Sequence, residues 1–218
     1  MRYATQLVTA PTLEPVTVAE CIRHGRLEGV VVTVEQQADL ALLISAARGD
    51  AEEFTGMLFV EQTWDVFTDG FPCSSQEALV LPIRPLQSIT TLKYTDTEGA
   101  VQTLSSTSSP TLASKFTLDN KDWKRKPRIV PAYNESWPST RAVPNAVEIR
   151  VVAGFALDNT SDNKAANVPP LIRQAIKLLA AHYFENREAS VADAAQRQDE
   201  IALGYSQILG RFRLTEFS

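Results

Sequence analysis

Residues 168–187, VPPLIRQAIKLLAAHYFENR, form the stretch that decides how the rest of the chain can fold. Apolar residues recur here at spacings of three and four, which places them on one face of a helix. They are Ile172, Ala175, Ile176, Leu179 and Tyr183. Asn167 can cap this helix, and the two adjacent prolines suit its first turn. Burial of apolar surface yields about 25 cal/mol per Å², so we expect a helix over 169–187 that packs against another element.

A second helix, predicted over 34–55, is the natural partner for this one. Thr33 can cap it, because Gln36 three residues later completes a capping box. The apolar residues of this segment also lie at helical spacing. They are Leu40, Leu43, Ile44, Ala47, Ala51 and Phe54. Gly56 suits a left-handed position at the C-terminal end of the helix, so the sequence marks both ends of this element.

The residues between the two long helices show the patterns of β-strands. Residues 88–94 and 101–104 flank a tight turn at 96–99 and predict a hairpin. Residues 146–152 alternate apolar and charged side chains, which predicts a further strand. We therefore predict an α+β fold in which an antiparallel helical layer carries an inserted, small and mostly antiparallel β unit.

The predicted domain boundaries follow from this arrangement. Residues 1–57 and 156–218 are expected to form the helical core, and residues 58–155 the β-rich insertion. The predicted helices of the core cover 17–25, 34–55, 169–187 and 191–203. Residues 1–16 are expected to be extended, because Pro11 and Pro15 disfavour a helix.

Composition and charge exclude several classes of protein. Hydrophobic residues make up 44% of the 218 residues, which excludes a disordered chain. A net charge of −5 excludes a protein that is basic as a whole and binds nucleic acid for that reason. Cys21 and Cys73 lie far apart, which excludes a disulfide framework and favours a reducing compartment. Since no apolar run could span a bilayer and the first residues lack the pattern of a signal peptide, we expect a soluble cytoplasmic protein without membrane contact.

The sequence carries no recognisable catalytic, phosphate-binding or metal-binding motif. Its two histidines, His24 and His182, are not spaced as metal ligands. Packing within short or amphipathic helices accounts for both histidines and for Cys21, and Glu52-Glu53 has the character of a solvated helix edge. We therefore expect no enzymatic activity, no catalytic residue, no cofactor and no metal.

One stretch of the chain is locally basic. It contains Trp123 and five cations, Lys121, Lys124, Arg125, Lys126 and Arg128. The plainer interpretation is a solvated loop between strands. The sharper interpretation is a loop that faces DNA and contacts its phosphates.

The C-terminal region is unusually apolar for a chain end. Its candidate docking residues are Ile201, Tyr205, Ile208, Leu209 and Phe212. Two alternatives remain open from sequence: these side chains fold back onto their own chain, or they dock on a neighbouring subunit.

Several short stretches, taken in order and spacing, resemble one family of viral proteins. They include Pro15 to Glu20, Gln62-Thr63-Trp64, Leu81 to Ile89, Pro131-Ala132-Tyr133 with Ser136-Trp137-Pro138, Val152 to Phe155, Val168-Pro169-Pro170 and His182 to Glu188. In these features the chain is similar to the head–tail connector, or adaptor, proteins of long-tailed bacteriophages.

The resemblance implies a structural virion protein without catalytic activity. Such proteins form a homo-oligomeric ring at the head–tail junction, bind the portal protein on one side and a tail or stopper protein on the other, and let DNA pass through. The implied location is the virion, after synthesis in the cytoplasm of the bacterial host. The alternatives are a head-completion or tail-side structural protein, or a non-viral interaction module; an enzyme such as a hydrolase ranks last.

Overall fold

The computed structural model describes residues 1–25, 33–74, 77–106, 115–156, 167–185 and 204–213. These residues form an α+β fold with antiparallel sheets, which confirms the predicted fold class. The chain divides into two compact units. The β unit comprises Met1–Pro11 and Glu61–Ala156, and the helical unit comprises Thr12–Val60 and Leu157–Ser218. Among the described helices, none combines the length and the apolar character that a bilayer crossing requires.

The helical unit is built around the two long helices that the sequence predicts. Its elements are α1 (Val18–His24), α2 (Val34–Thr55), α3 (Pro170–Glu185) and α4 (204–210). Helix α2 packs against α3, and α1 contacts both, which confirms the predicted pairing. The helix predicted over 191–203 lies outside the described residues.

Polar caps begin α1 and α2, and the cap of α2 lies at Thr33 as predicted. The hydroxyl oxygens of Thr17 and Thr33 accept the backbone N–H of Glu20 and Gln36, each at 3.2 Å. In return, the side chains of Glu20 and Gln36 accept the backbone N–H of the capping residues, which completes both capping boxes. At the other end of α2, Gly56 has a φ of 63°, a left-handed conformation that glycine adopts without strain.

The core of the helical unit lies between α2 and α3. Its buried side chains include Leu40, Ile44, Ala47 and Ala51 of α2 and Ile172, Ala175, Ile176 and Leu179 of α3. Alanines on both faces take little space, so the two helices can approach closely.

The described residues of the β unit form two antiparallel sheets. The five-stranded sheet has the order β1 (Tyr3–Thr9), β2 (Gln62–Thr68), β8 (Val147–Ala153), β4 (Leu86–Thr95) and β5 (Val101–Ser106). The three-stranded sheet has the order β3 (Leu79–Val80), β7 (Arg128–Pro131) and β6 (Phe116–Asp119). Strand β4 pairs with β5 around a turn at Asp96–Gly99, which confirms the predicted hairpin.

Strand β8 lies at the centre of the larger sheet and shows the alternation that the sequence predicts. Val147, Ile149 and Val151 are fully buried, whereas the residues between them are half-exposed. Among the latter, Arg150 lies opposite Asp65 of β2 and donates two hydrogen bonds of 2.8 Å to its carboxylate. This paired bidentate contact fixes the register of the two strands across the sheet.

Two predicted boundaries are wrong at the ends of the β unit. Residues 3–9 were expected within the helical part, but they form β1 and pair with β2, with Tyr3 opposite Thr68. The β-rich insertion expected from 58 begins only at Glu61, with its first strand at Gln62, because Phe59 is fully buried in the helical unit. The backbone N–H of Phe59 donates to the carboxylate of Glu52 on α2 at 2.7 Å, so it has a partner outside any sheet.

Candidate functional site

The basic loop, residues 119–128, connects β6 to β7 and displays all five predicted cations on the surface. They are Lys121, Lys124, Arg125, Lys126 and Arg128, and each is exposed. Four of them, all except Lys124, line one hollow of about 330 Å³ together with Asp119 and Asp122. The structure therefore gathers four of the five cations that the sequence identified around one concave surface.

Contacts with neighbouring strands hold the basic loop in place. The Trp123 ring meets the Phe155 ring edge-on, with 5.3 Å between their centroids. The side-chain amide of Asn120 donates to the backbone carbonyls of Leu86 and Gln87 at 3.0 and 3.1 Å. These contacts hold the first half of the loop, at Asn120 and Trp123, so the charges are presented from a defined surface.

Arg84 contributes a buried charge beneath the basic loop, and sequence reasoning missed it. Its side chain belongs to a residue only 2% exposed, and the guanidinium Nη1 donates to the carbonyl oxygen of Lys124 at 2.6 Å. Burial lowers the pKa of Arg84 from its ordinary value. No local signal in the sequence separates this arginine from an exposed one, because its burial depends on residues 40 positions away.

Two ion pairs partly offset the positive charge of the loop. Arg128 donates from Nε to Asp119 at 2.9 Å, and Nε of Arg125 lies 3.3 Å from a carboxylate oxygen of Asp122. The hydrogen bond from Arg128 holds the pKa of the Asp119 carboxyl below its usual range. Since the loop carries five cations against two carboxylates, its surface stays positive and can attract a polyanion.

The second candidate site, the C-terminal segment 204–213, folds back onto the helical unit. Leu209 is fully buried and Phe212 is 9% exposed. The Tyr205 ring lies 5.9 Å from the Phe54 ring, and the guanidinium of Arg213 lies 5.6 Å from the same ring. The fold-back alternative therefore holds for the side chains of Leu209 and Phe212.

The remaining candidate docking residues are placed differently. Tyr205 and Ile208 are half-exposed, and Ile201 lies outside the described residues. Docking on a neighbouring subunit thus stays a prediction for Tyr205 and Ile208, whose outer faces a second chain could reach.

Asp50 of α2 joins the C-terminal segment to α3. The phenol of Tyr183 donates a short hydrogen bond to the Asp50 carboxylate. Burial, followed by this hydrogen bond, raises the pKa of Tyr183, and burial with the nearby Asp50 charge raises the pKa of Tyr205 to about 12. Both phenols are therefore held in their protonated form where α2, α3 and α4 meet.

Cys21, a potentially reactive residue of the sequence, lies beside Glu20 among contacts that stabilise the fold. Burial, with the charge of Glu20, raises the pKa of the Cys21 thiol to about 11, which disfavours a nucleophilic thiolate. The Glu20 carboxylate itself accepts hydrogen bonds from Thr17 and Arg173. Within the described part of the chain, no cluster of three or more histidine, cysteine or acidic side chains has the arrangement of a metal site.

Comparison with known proteins shows the fold and not the family. No protein-family model and no curated protein matches the chain. Solved structures that it resembles include a chain from the neck of an empty gene transfer agent (GTA) particle, computed with C6 symmetry, at 24% identity and a TM-score of 0.72; the match covers 99% of this chain and 97% of that chain.

Two further similar chains come from the same kind of particle. One belongs to the virion of a native GTA particle, with 23% identity, a TM-score of 0.73 and coverage of 98% and 97%. The other belongs to the neck of a native GTA particle computed with C12 symmetry, with 20% identity, a TM-score of 0.67 and coverage of 99% and 97%. At these identities the likeness establishes a shared fold over nearly the whole length of both chains.

Proposed function

We propose that this protein is a structural component of the neck of a phage-like particle, where copies of it form an adaptor ring between the portal and a tail or stopper protein. The observation that carries the proposal is the end-to-end fold similarity to chains of particle necks. A fold alone does not specify function. Here, however, the similarity coincides with short sequence stretches that resemble adaptor proteins and are distributed along both units.

A ring is the assembly that best suits this role. Closed rings arise when two different surfaces of one chain meet head to tail and the rotation closes. Neck structures similar to this chain were computed with C6 and C12 symmetry, which supports a cyclic arrangement for the present protein. We further propose that it resides in the virion after synthesis in the cytoplasm of a bacterial host, and that it acts by assembly without catalysing a reaction.

The basic loop is the proposed contact with DNA inside the ring. Exposed lysine and arginine side chains bind phosphates of the backbone irrespective of sequence, and the strength of that binding falls steeply with salt. A protein that lets DNA pass needs contacts of this kind, because base-specific contacts would hold one sequence in place. The net charge of −5 for the chain as a whole makes the basic loop the favoured site for a polyanion.

The direct test is the assembly state, alone and with a portal protein. Mass photometry and negative-stain electron microscopy of the purified chain should reveal a closed ring, or a monomer that becomes a ring on portal. Strictly monomeric protein under both conditions would contradict the adaptor role. Binding to tail components but not to portal would favour a tail-side structural protein instead.

A further inference from the structure

Tyr133 is presented to solvent by a tight turn that leaves its side chain without cover. The residue is 93% exposed. The Tyr133 turn, residues 132–135, is closed by the Glu135 backbone N–H, which donates to the Ala132 carbonyl at 3.0 Å. Asn134 adopts a φ of 61°, the left-handed conformation that asparagine tolerates and that the third position of a type II turn requires. An aromatic side chain at the tip of a defined turn has the character of an interface residue.

The Tyr133 turn is supported from both sides. On one side, the Ala132 backbone N–H donates to the Lys115 carbonyl at 3.0 Å. On the other, Trp137 stacks on Phe71 with 4.7 Å between ring centroids and 7° between the planes, and its indole N–H donates to the Glu77 carbonyl at 2.9 Å. A tyrosine presented from such a support loses little backbone freedom on binding, which is the condition for an effective anchor residue.

The same unit contains a groove that Tyr133 of its own chain does not fill. The Val80 groove has a volume of about 350 Å³, and its lining includes Pro72, Val80, Leu81 and Pro82. Glu77 and Lys126 add two charged side chains, and Met1, Tyr3 and Ala78 complete the lining. Pro72, Val80, Leu81 and Pro82 give the groove an apolar floor beside its polar groups. This combination is typical of sites for small organic molecules, and the volume lies at the lower end of the usual range for them.

We propose that Tyr133 of one copy inserts into the Val80 groove of the neighbouring copy. The phenol O–H would donate to the Glu77 carboxylate, and the ring would cover the apolar floor. Glu135, the only charge in residues 131–138, would then meet Lys126 of the groove. This inference rests on the proposed function only in that the neighbour is another subunit of the same assembly.

A second copy is the occupant that the geometry favours. The Tyr133 turn and the Val80 groove are different surfaces of one chain. A head-to-tail contact requires two such surfaces. Glu77 connects the two, because its carbonyl accepts the indole N–H of Trp137, which follows the turn, and because the residue itself lines the groove. The two surfaces therefore keep a constant relation within each subunit, and repetition of the contact gives a constant rotation from copy to copy.

The test is photo-cross-linking with the aromatic group retained. A benzoylphenylalanine replaces Tyr133 in one preparation of the full chain, which is mixed with isotope-labelled wild-type chain and irradiated. Mass spectrometry should find cross-links from position 133 to residues 80–82 of the labelled chain. The matched control carries the same group at Glu98, an exposed residue in the turn of the β4–β5 hairpin, and should give no cross-link to residues 80–82.

Variants give an independent measurement. Because Tyr133 is 93% exposed, Tyr133→Ala should leave the melting temperature unchanged while weakening self-association at least tenfold. Tyr133→Phe should retain most of the association. Cross-links that map to other surfaces, to portal or to DNA, together with wild-type association of Tyr133→Ala, would overturn the inference.

The outcomes separate this contact from the proposed function. A cross-link between two copies in a protein that never closes a ring would uphold the contact and contradict the adaptor role. A ring that forms without any cross-link from 133 to 80–82 would uphold the adaptor role and contradict the contact.

Discussion

Arg84 and Lys124 are joined by a hydrogen bond that links the interior of the β unit to the basic loop. The guanidinium of Arg84, a residue 2% exposed, donates to the Lys124 carbonyl at 2.6 Å. Burial of a cation costs free energy unless the cation is hydrogen-bonded. The backbone that presents the charges of the basic loop is thus held by another positive charge below it, which adds to the potential that a polyanion meets.

Arg84→Ala should release the basic loop and destabilise the β unit. Loss of a hydrogen bond from a charged donor costs about 2 kcal/mol, measured here as a lower midpoint of unfolding in urea. The Lys124 and Arg125 amides, which donate to Asp122 at 3.0 Å, should exchange hydrogen faster. Arg2→Ala removes an exposed cation and serves as the control; equal exchange rates in the two variants would contradict the proposed role of Arg84.

Charge reversal in the basic loop should weaken DNA binding without unfolding the protein. In Lys124→Glu/Arg125→Glu, the dependence of log K on log salt should lose about one unit of slope for each lost phosphate contact. Fluorescence anisotropy with duplex DNA measures this, and DNA retention in assembled particles should fall as well. Arg2→Glu/Arg211→Glu changes the net charge equally at two exposed sites outside the loop. DNA binding that is unchanged by the first pair would refute the DNA-facing interpretation.

Deletion of residues 204–218 should leave a folded monomer that assembles poorly. The structure adds an expected loss of stability, because the deletion removes the buried Leu209 side chain and the Tyr205 ring from Phe54. Leu209→Ala alone should cost about 2–5 kcal/mol. Ile208→Ala, at a half-exposed position, should cost less but affect assembly more if that face docks on a neighbour. Complete assembly of the truncated chain would contradict the docking prediction.

Stability should decline at alkaline pH because burial raises the pKa of several groups in the folded chain, Cys21 and Tyr3 among them, and two of these groups are the tyrosines at Asp50. Their pKa values are raised in the folded chain, for Tyr205 to about 12, above the unfolded value near 10. The stabilisation is therefore complete below pH 10 and is lost as the pH rises through the folded pKa values. Urea midpoints measured between pH 8 and about 12 should show this decline, and Tyr183→Phe/Tyr205→Phe should reduce it. Tyr133→Phe, at an exposed site, should leave the decline as it is in the wild type.

The sequence by itself determined the local elements. The capping boxes at Thr17 and Thr33 and the glycine after α2 place helix ends within a residue or two, because a cap acts over three or four positions. The alternation around Ile149 and the turn at Asp96–Gly99 define strands and hairpin for the same reason. The sequence also shows the cations of the basic loop directly, since they are neighbours along the chain.

Only the tertiary structure decided which distant residues share a surface. Residues 3–9 had no local signal for pairing with β2, and Phe59 had none for leaving the predicted strand to be buried in the helical unit. The burial of Arg84 and the exposure of Tyr133 were likewise invisible in the sequence. Each depends on contacts between residues far apart in the chain, and the free energy of such contacts comes from packing that exists only once the fold has formed.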